Sequence, residues 1–114
     1  MTFDDATLLS RVEGNRDLLR AMVDAFIGEA PQLLREIEGA IKRADSGALF
    51  NAAHALKGAL ATLEAHTAAR IAAKLERSGQ LGHFADTDYL LAALGAEVNN
   101  LQADLMLLLN VPVE

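Results

Sequence analysis

The feature that most constrains the fold of this 114-residue chain is a helical spacing of apolar residues that continues almost from end to end. Residues three or four apart share one face of an α-helix, so this spacing predicts amphipathic helices. No stretch alternates apolar and polar residues for long enough to indicate a β-strand. The sequence therefore predicts an all-α fold.

Capping and turn residues divide this periodicity into six predicted helices. Side chains such as Asp and Asn favour helix starts, whereas Gly favours helix ends, and Pro suits the first turn of a helix. The third helix therefore begins at Pro31, and two glycines within four residues predict a loop over 79–83. The predicted bounds are, in chain order, Asp4 or Asp5 to Val12, Asn15 to the residue before Pro31, Pro31 to Asp45, Ser46 to Leu63, Thr67 to Gly79, and Phe84 or Asp86 to Leu109.

Helices three to six are long and closely connected, which predicts an up-down-up-down four-helix bundle. The first two helices are then one or two additional N-terminal helices that cover one end or one face of the bundle. The chain has no internal repeat and no linker-like segment. Residues 1–114 are accordingly predicted to form a single domain.

Composition removes several classes of function. The formal net charge of −6 opposes binding to nucleic acid, and the absence of cysteine removes disulfides and thiolate metal sites. No helical metal site is predicted either, since none of the three histidines follows a glutamate by three residues. No apolar run approaches the roughly 18 residues that span a bilayer, and no secretory signal is recognisable. We expect a cytoplasmic protein without membrane contact.

The run 53–63 places a histidine opposite the apolar face of its own helix. At 100° per residue, His54 projects roughly 140° away from the apolar residues of that helix. Its neighbours on the same face are Phe50, Lys57, Gly58 and Ala61, a set with only one long charged side chain. We therefore expect the imidazole to face water and to be open to a macromolecule. The apolar face consists of Leu49, Ala53, Leu56, Leu60 and Leu63.

This motif resembles the signature of the histidine-containing phosphotransfer (HPt) domain, written here as His54-x-Leu56-Lys57-Gly58-x4-Leu63. The resemblance extends over most of the chain. It includes the segment from Phe26 to Pro31, the Asp45 turn, Leu75-Glu76 and the leucine-rich last helix.

One position departs from the family pattern. The family usually has glycine after the last leucine of the motif, whereas this chain has Glu64. A left-handed helix cap at this position would cost a non-glycine residue about 1 kcal/mol.

The resemblance implies a phosphorelay intermediate of two-component signalling. His54 would accept a phosphoryl group from an aspartate of a receiver domain and pass it to another receiver aspartate. A neutral imidazole is a suitable nucleophile near pH 7, and the Lys57 ammonium can stabilise the phosphoryl oxygens. The sequence contains neither a Walker-type string nor a kinase glycine-rich loop, so we expect a carrier without its own ATP site, free-standing or part of a hybrid histidine kinase.

The implied partners are receiver domains of response regulators or of hybrid sensor kinases. The resemblance implies no cofactor for the chain itself, and magnesium in the partner receiver. Since Gly58 costs a helix about 1 kcal/mol relative to alanine, we interpret it as an opening for the partner. Phe50 and Ala61 are predicted to dock the partner, joined by an exposed apolar residue of the second helix, Phe26 or Ile27.

Gln32 is the sequence candidate for the hydrogen-bond partner of the His54 Nδ1 atom. His66 and His83 are expected to be ordinary solvated residues. Two other interpretations remain open from the sequence. One is a module that docks a receiver without carrying phosphate, and the other is a chemotaxis-type phosphotransfer domain that a kinase phosphorylates.

Overall fold

A computed structural model describes residues 2–110, within which the chain forms five helices. Each of the four long helices packs against the long helices next to it in sequence. The first of the four also packs against the last, which closes a four-helix bundle. The predicted all-α bundle is confirmed, with one short additional helix at the N-terminus. None of these helices within residues 2–110 is both long and apolar enough to cross a membrane. The helices are α1 (Asp5–Arg11), α2 (Arg16–Arg43), α3 (Ser46–Thr62), α4 (His66–Leu81) and α5 (Thr87–Leu109).

The second and third predicted helices are one continuous helix, α2, so the predicted break at Pro31 is wrong. Proline removes one backbone hydrogen bond and costs a helix interior about 3 kcal/mol. Pro31 lies on the exposed face, and buried residues continue beyond it at Leu33, Ile37 and Ala40. Burial of a Leu or Ile side chain contributes about 1.5–3 kcal/mol each. The two large residues after Pro31 therefore offset its cost, and the helix continues.

Gly79 does not end α4 as predicted. The helix continues to Leu81, and Gly82 adopts the left-handed conformation that ends it, with φ of 68°. Gly79 is instead buried against α3, where a Cβ atom would lie 2.6 Å from the backbone nitrogen of Phe50 and 2.8 Å from the carbonyl oxygen of Ser46. The missing side chain at Gly79 thus permits the close approach of α3 and α4.

The turn between α3 and α4 is tied to the N-terminal segment through Glu64. Glu64 adopts the left-handed conformation with φ of 59°, so the strain expected at this position is present. Its carbonyl oxygen accepts a hydrogen bond from the Asp4 backbone at 3.0 Å. Its carboxylate accepts one from Arg11 at 2.6 Å. These contacts hold α1 against the end of the bundle.

Candidate functional site

The motif lies on α3, whose two faces differ as the periodicity predicts. The five residues of its apolar face are buried, with 0% exposure at Leu49, Ala53, Leu56 and Leu60 and 2% at Leu63. On the opposite face, the side chain of His54 is 63% exposed. The prediction that this imidazole faces water is confirmed.

A carboxylate from α4 reaches the histidine. Oε2 of Glu76 lies 2.5 Å from Nδ1 of His54, and Oε1 of the same residue accepts a hydrogen bond from Nζ of Lys57 at 2.8 Å. Only 16% of the Glu76 side chain is exposed. One nearly buried carboxylate therefore links the imidazole and the ammonium group of the motif.

The charge of Glu76 determines which ring nitrogen of His54 carries the hydrogen when the imidazole is neutral. The hydrogen bond from Lys57, together with the contact to His54, holds the pKa of Glu76 below its ordinary value of 4.5. An ionised carboxylate can only accept hydrogen bonds, so Nδ1 of His54 is the donor. In a neutral ring, Nε2 then carries the free lone pair and faces outward. This arrangement leaves the outward nitrogen available as a nucleophile.

Phe50 packs on the imidazole from the preceding turn of α3. The two rings are stacked, with centroids 5.8 Å apart and planes inclined by 8°. The stacking and the hydrogen bond to Glu76 restrain the ring in two different directions. The same Phe50 meets α4 at Gly79, one turn beyond Glu76, so the close helix approach and the imidazole contact occur side by side.

The remaining motif positions leave open space beside the ring. Gly58 is exposed, and a Cβ atom built on it would have no neighbour within 4 Å outside its own helix. Ala61 is exposed one turn further along α3. Gly58 is therefore not required for packing within the described residues, in contrast to Gly79.

The expectation that Phe26 is an exposed residue of α2 is wrong, whereas docking through α2 stays a prediction. Phe26 is only 3% exposed because it belongs to the core face of α2. Ile27 is half-buried and lies two turns before Leu34, which faces Leu91 on α5, so Ile27 lies on the side of α2 away from α3.

Met22 and Ala25 of α2 line a groove against the motif helix, together with Glu29 and the nearly buried Phe26. In the sequence, the helical positions of Met22 and Ala25 relative to Phe26 do not distinguish them from other surface residues of α2. Only the packing of α2 against α3 shows which side of the helix they occupy.

The expected partner of Nδ1 is also wrong. Gln32 is exposed and accepts a hydrogen bond from Arg35 at 2.8 Å, whereas Glu76 holds the imidazole. A signal for Glu76 exists in the sequence. In an antiparallel pair that turns near Glu64, residue 54 stands opposite residue 74, and Glu76 is the one acid within a turn of that position.

The other two histidines differ from His54 in their surroundings. The side chain of His66 is 58% exposed, and its Nε2 atom lies 3.8 Å from Oε1 of Glu64. His83 is exposed in the connection between α4 and α5. Of the three, His54 alone combines an engaged Nδ1 with an outward Nε2 within the part of the chain that the structure describes.

Comparisons with known proteins agree with the fold and with the resemblance of the motif. A family model described as the Hpt domain matches residues 21–104. The crystal structure of histidine-containing phosphotransfer protein B (HptB) from Pseudomonas aeruginosa PAO1 is similar, with a TM-score of 0.81 and 26% sequence identity. The match covers 95% of this chain and 90% of that chain. No curated protein matches the sequence.

Proposed function

This chain belongs to the Hpt domain family, and we propose that His54 is the residue through which it carries a phosphoryl group between receiver domains. Membership in the family establishes the coarser role, a histidine phosphotransfer protein of two-component signalling that carries phosphate without its own ATP site. The observation that supports His54 most strongly is the contact of its Nδ1 with Glu76, which leaves Nε2 free on an exposed ring. The whole chain, residues 1–114, is taken as one phosphotransfer domain.

In the proposed reaction, Nε2 of His54 attacks the phosphorus of an aspartyl phosphate on the partner. The lone pair of Nε2 forms the N–P bond while the P–O bond to the partner aspartate breaks, and the carboxylate leaves with the electron pair. Positive charge develops on the ring during the attack. Glu76 stabilises that charge through the Nδ1–H hydrogen bond, and onward transfer reverses these steps at a second aspartate.

Lys57 supports the phosphorylated state. Its ammonium group is held by Glu76 one turn along the surface from the imidazole and remains 34% exposed. From there it can turn toward phosphoryl oxygens, because a lysine side chain carries three donors on a flexible stem. Its role is charge stabilisation, since the in-line nucleophile is the imidazole.

The partner is proposed to dock over Phe50, Gly58 and Ala61. The absence of a side chain at Gly58 supports this role, because nothing in the bundle requires it. Magnesium is expected in the receiver domain, and no cofactor is proposed for this chain. On the α2 side, Met22 and Ala25 are proposed to border this surface, since they line a groove against α3 together with the nearly buried Phe26.

The experiment is transfer of labelled phosphate to purified protein. A panel of receiver domains is phosphorylated with acetyl phosphate and mixed with the wild-type chain, with His54→Gln and with His66→Gln. We expect acid-labile label on the wild type and on His66→Gln, which removes an equally exposed imidazole, and none on His54→Gln. Equal labelling of His54→Gln would contradict the proposal.

The same experiment separates the alternatives considered from the sequence. A docking module without phosphate would bind a receiver with the same affinity whether or not residue 54 is histidine, and the wild type would take no label. A chemotaxis-type domain would be labelled by a kinase catalytic domain and ATP in the absence of any receiver. The 63% exposure of the His54 side chain allows either kind of folded donor to reach it, so the source of the label separates the two alternatives.

A further inference from the structure

Grooves flank the motif helix on both sides, and two of them, one on each side, lie beside its C-terminal half. The α4-side groove, of about 390 Å³, has a floor of small residues and the side chains of Lys57 and Arg70 at its rim. The α2-side groove, of about 210 Å³, is lined by Met22, Ala25 and Ala59 and has the side chain of Glu29 at its rim. The floor of the α4-side groove consists of Gly58, Ala61, Ala69 and Ala73. Both grooves lie beyond His54 along α3 and are open to a folded partner there.

The two grooves differ in charge. Arg70 makes the rim of the α4-side groove positive, Lys57 lies at the same rim with its ammonium paired to Glu76, and His66 lies at its end. Glu29 is the one charged residue that lines the α2-side groove, and it is negative. At the C-terminal half of the motif helix, a partner with an acidic surface is therefore attracted to the α4-side groove and repelled from the α2-side groove. A further groove between α2 and α3, at Asn51 and Ala55, is lined by both signs of charge, with Arg35, Arg43 and Glu36.

The positive charge continues along the outer face of α4. Arg70, Lys74 and Arg77 are all exposed and are spaced four and three residues apart, so they share that face. Among the described ion pairs, none involves these three side chains, although the chain as a whole has a net charge of −6. In α4 the single acidic residue is Glu76, which points to the imidazole instead. We call this set of three cations the α4 basic face.

We propose that the receiver domain docks over the α4-side groove, with its acidic phosphorylation surface against Lys57 and the α4 basic face. This inference rests on the proposed function and specifies the partner's orientation. A receiver that carries an aspartyl phosphate and carboxylates for Mg²⁺ presents concentrated negative charge around the reacting group. The small floor residues let that surface come close to Nε2 of His54, and the cations raise the rate of productive encounter.

The experiment compares paired charge reversals on the rate of phosphoryl transfer. The receiver is the one from the panel that labels the wild type fastest, and the second-order rate constant is measured at low receiver concentration in about 50 mM salt. The test variant is Arg70→Glu with Lys74→Glu. The matched control is Lys42→Glu with Arg43→Glu, which changes the net charge equally at the C-terminal end of α2. A third variant, Met22→Glu, adds a charge to the α2-side groove.

We expect the test variant to lower the rate constant about 10-fold or more, since electrostatic steering contributes factors of this size. The loss should shrink in about 0.5 M salt, where exposed charges are screened. The control should stay within about 2-fold of the wild type, and the rate at saturating receiver should change little in either. Equal rates for test and control variants would overturn the proposal, as would a loss confined to Met22→Glu. If no receiver labels the wild type, the proposed function itself fails.

Discussion

The molecule contains two exposed histidines that each lie beside a glutamate, and the two pairs differ in geometry. His54 is 63% exposed and contacts Glu76 at 2.5 Å, whereas His66 is 58% exposed and stands 3.8 Å from Glu64. In the first pair Nδ1 faces the carboxylate, and in the second Nε2 does. Exposure and an acidic neighbour are therefore common to both. What distinguishes the first pair is a hydrogen bond that fixes the ring and leaves Nε2 outward.

The glutamates of the two pairs also differ in what they hold. Each accepts a close hydrogen bond from a cation, Lys57 for Glu76 at 2.8 Å and Arg11 for Glu64 at 2.6 Å. Glu76 lies within α4, where the helix fixes its position, while Glu64 occupies a strained turn and attaches α1 to the bundle. The first cluster, His54 with Lys57 and Glu76, is thus suited to reaction chemistry. The second cluster, His66 with Glu64 and Arg11, is suited to holding the N-terminal segment against the bundle.

The largest expected effect comes from a substitution that forces α3 and α4 apart next to His54 and Glu76. Gly79→Ala places a Cβ atom 2.6 Å from the backbone of Phe50, and no flexible side chain can yield there. We expect a loss of about 1–3 kcal/mol in the free energy of unfolding, measured by urea denaturation. Gly58→Ala is the control, since that site is open, and it should stabilise the protein by up to about 1 kcal/mol. Equal stabilities would show that α3 and α4 do not need this approach.

A second comparison removes the charge of each glutamate in turn. Glu76→Gln leaves an amide that no longer stabilises positive charge on His54, and the difference between a charged and a neutral hydrogen bond is about 1 kcal/mol or more. We therefore expect phosphoryl transfer to slow about 10-fold. Glu64→Gln removes the equivalent charge beside His66 and should leave transfer within about 2-fold of the wild type. A slower Glu64→Gln variant would remove the distinction between the clusters.

A smaller effect concerns the strain at the second cluster. Glu64→Gly relieves a left-handed residue, worth about 1 kcal/mol, but loses an ion pair in which the Arg11 side chain is 52% exposed, worth up to about 1 kcal/mol. We expect a nearly unchanged melting temperature. Ala44→Gly relieves the same conformation, with φ of 53°, and breaks no ion pair, so it should raise the melting temperature more. The reverse order would mean that the Arg11 contact contributes nothing.

The smallest effect is the pH dependence of the first cluster. The pKa of Glu76 is lowered in the folded protein, chiefly by the hydrogen bond from Lys57, so the unfolded chain binds its proton more readily. The resulting stability is complete above the ordinary pKa of 4.5 and is lost as the pH falls through the lower folded value. The stability of the wild type relative to Glu76→Gln, measured as a difference in melting temperature, should therefore decrease as the pH is lowered from about 5 to about 3. A difference that does not change with pH would exclude this coupling.

The sequence predicted those parts of the site that depend on one helix. The spacing of Leu56 and Leu60 determines the buried face of α3, and His54 must then face outward. Features that depend on two helices were missed. Glu76 reaches the imidazole only because α3 packs against α4. The local sequence around Gly79 is the same whether this glycine ends a helix or allows another helix to approach closely.

The errors in α2 have a similar cause. A local rule places a helix start at Pro31, but burial beyond it keeps the helix continuous. Phe26 was expected as an exposed docking residue of the second helix, yet only the packing of α2 decides which of its residues enter the core and which face α3. The periodicity of a helix predicts which of its faces is buried. It does not predict which other helix packs against each side of that face.

The central claim is tested most directly by locating the phosphoryl group on the protein. The chain, with ¹⁵N-labelled histidine, is phosphorylated by the receiver that labels it fastest, and the ring nitrogens of all three histidines are observed by NMR. The account predicts a phosphoryl group on Nε2 of His54, with Nδ1 still protonated and the rings of His66 and His83 unchanged. A phosphoryl group on Nδ1 of His54, or on either of the other histidines, would contradict it.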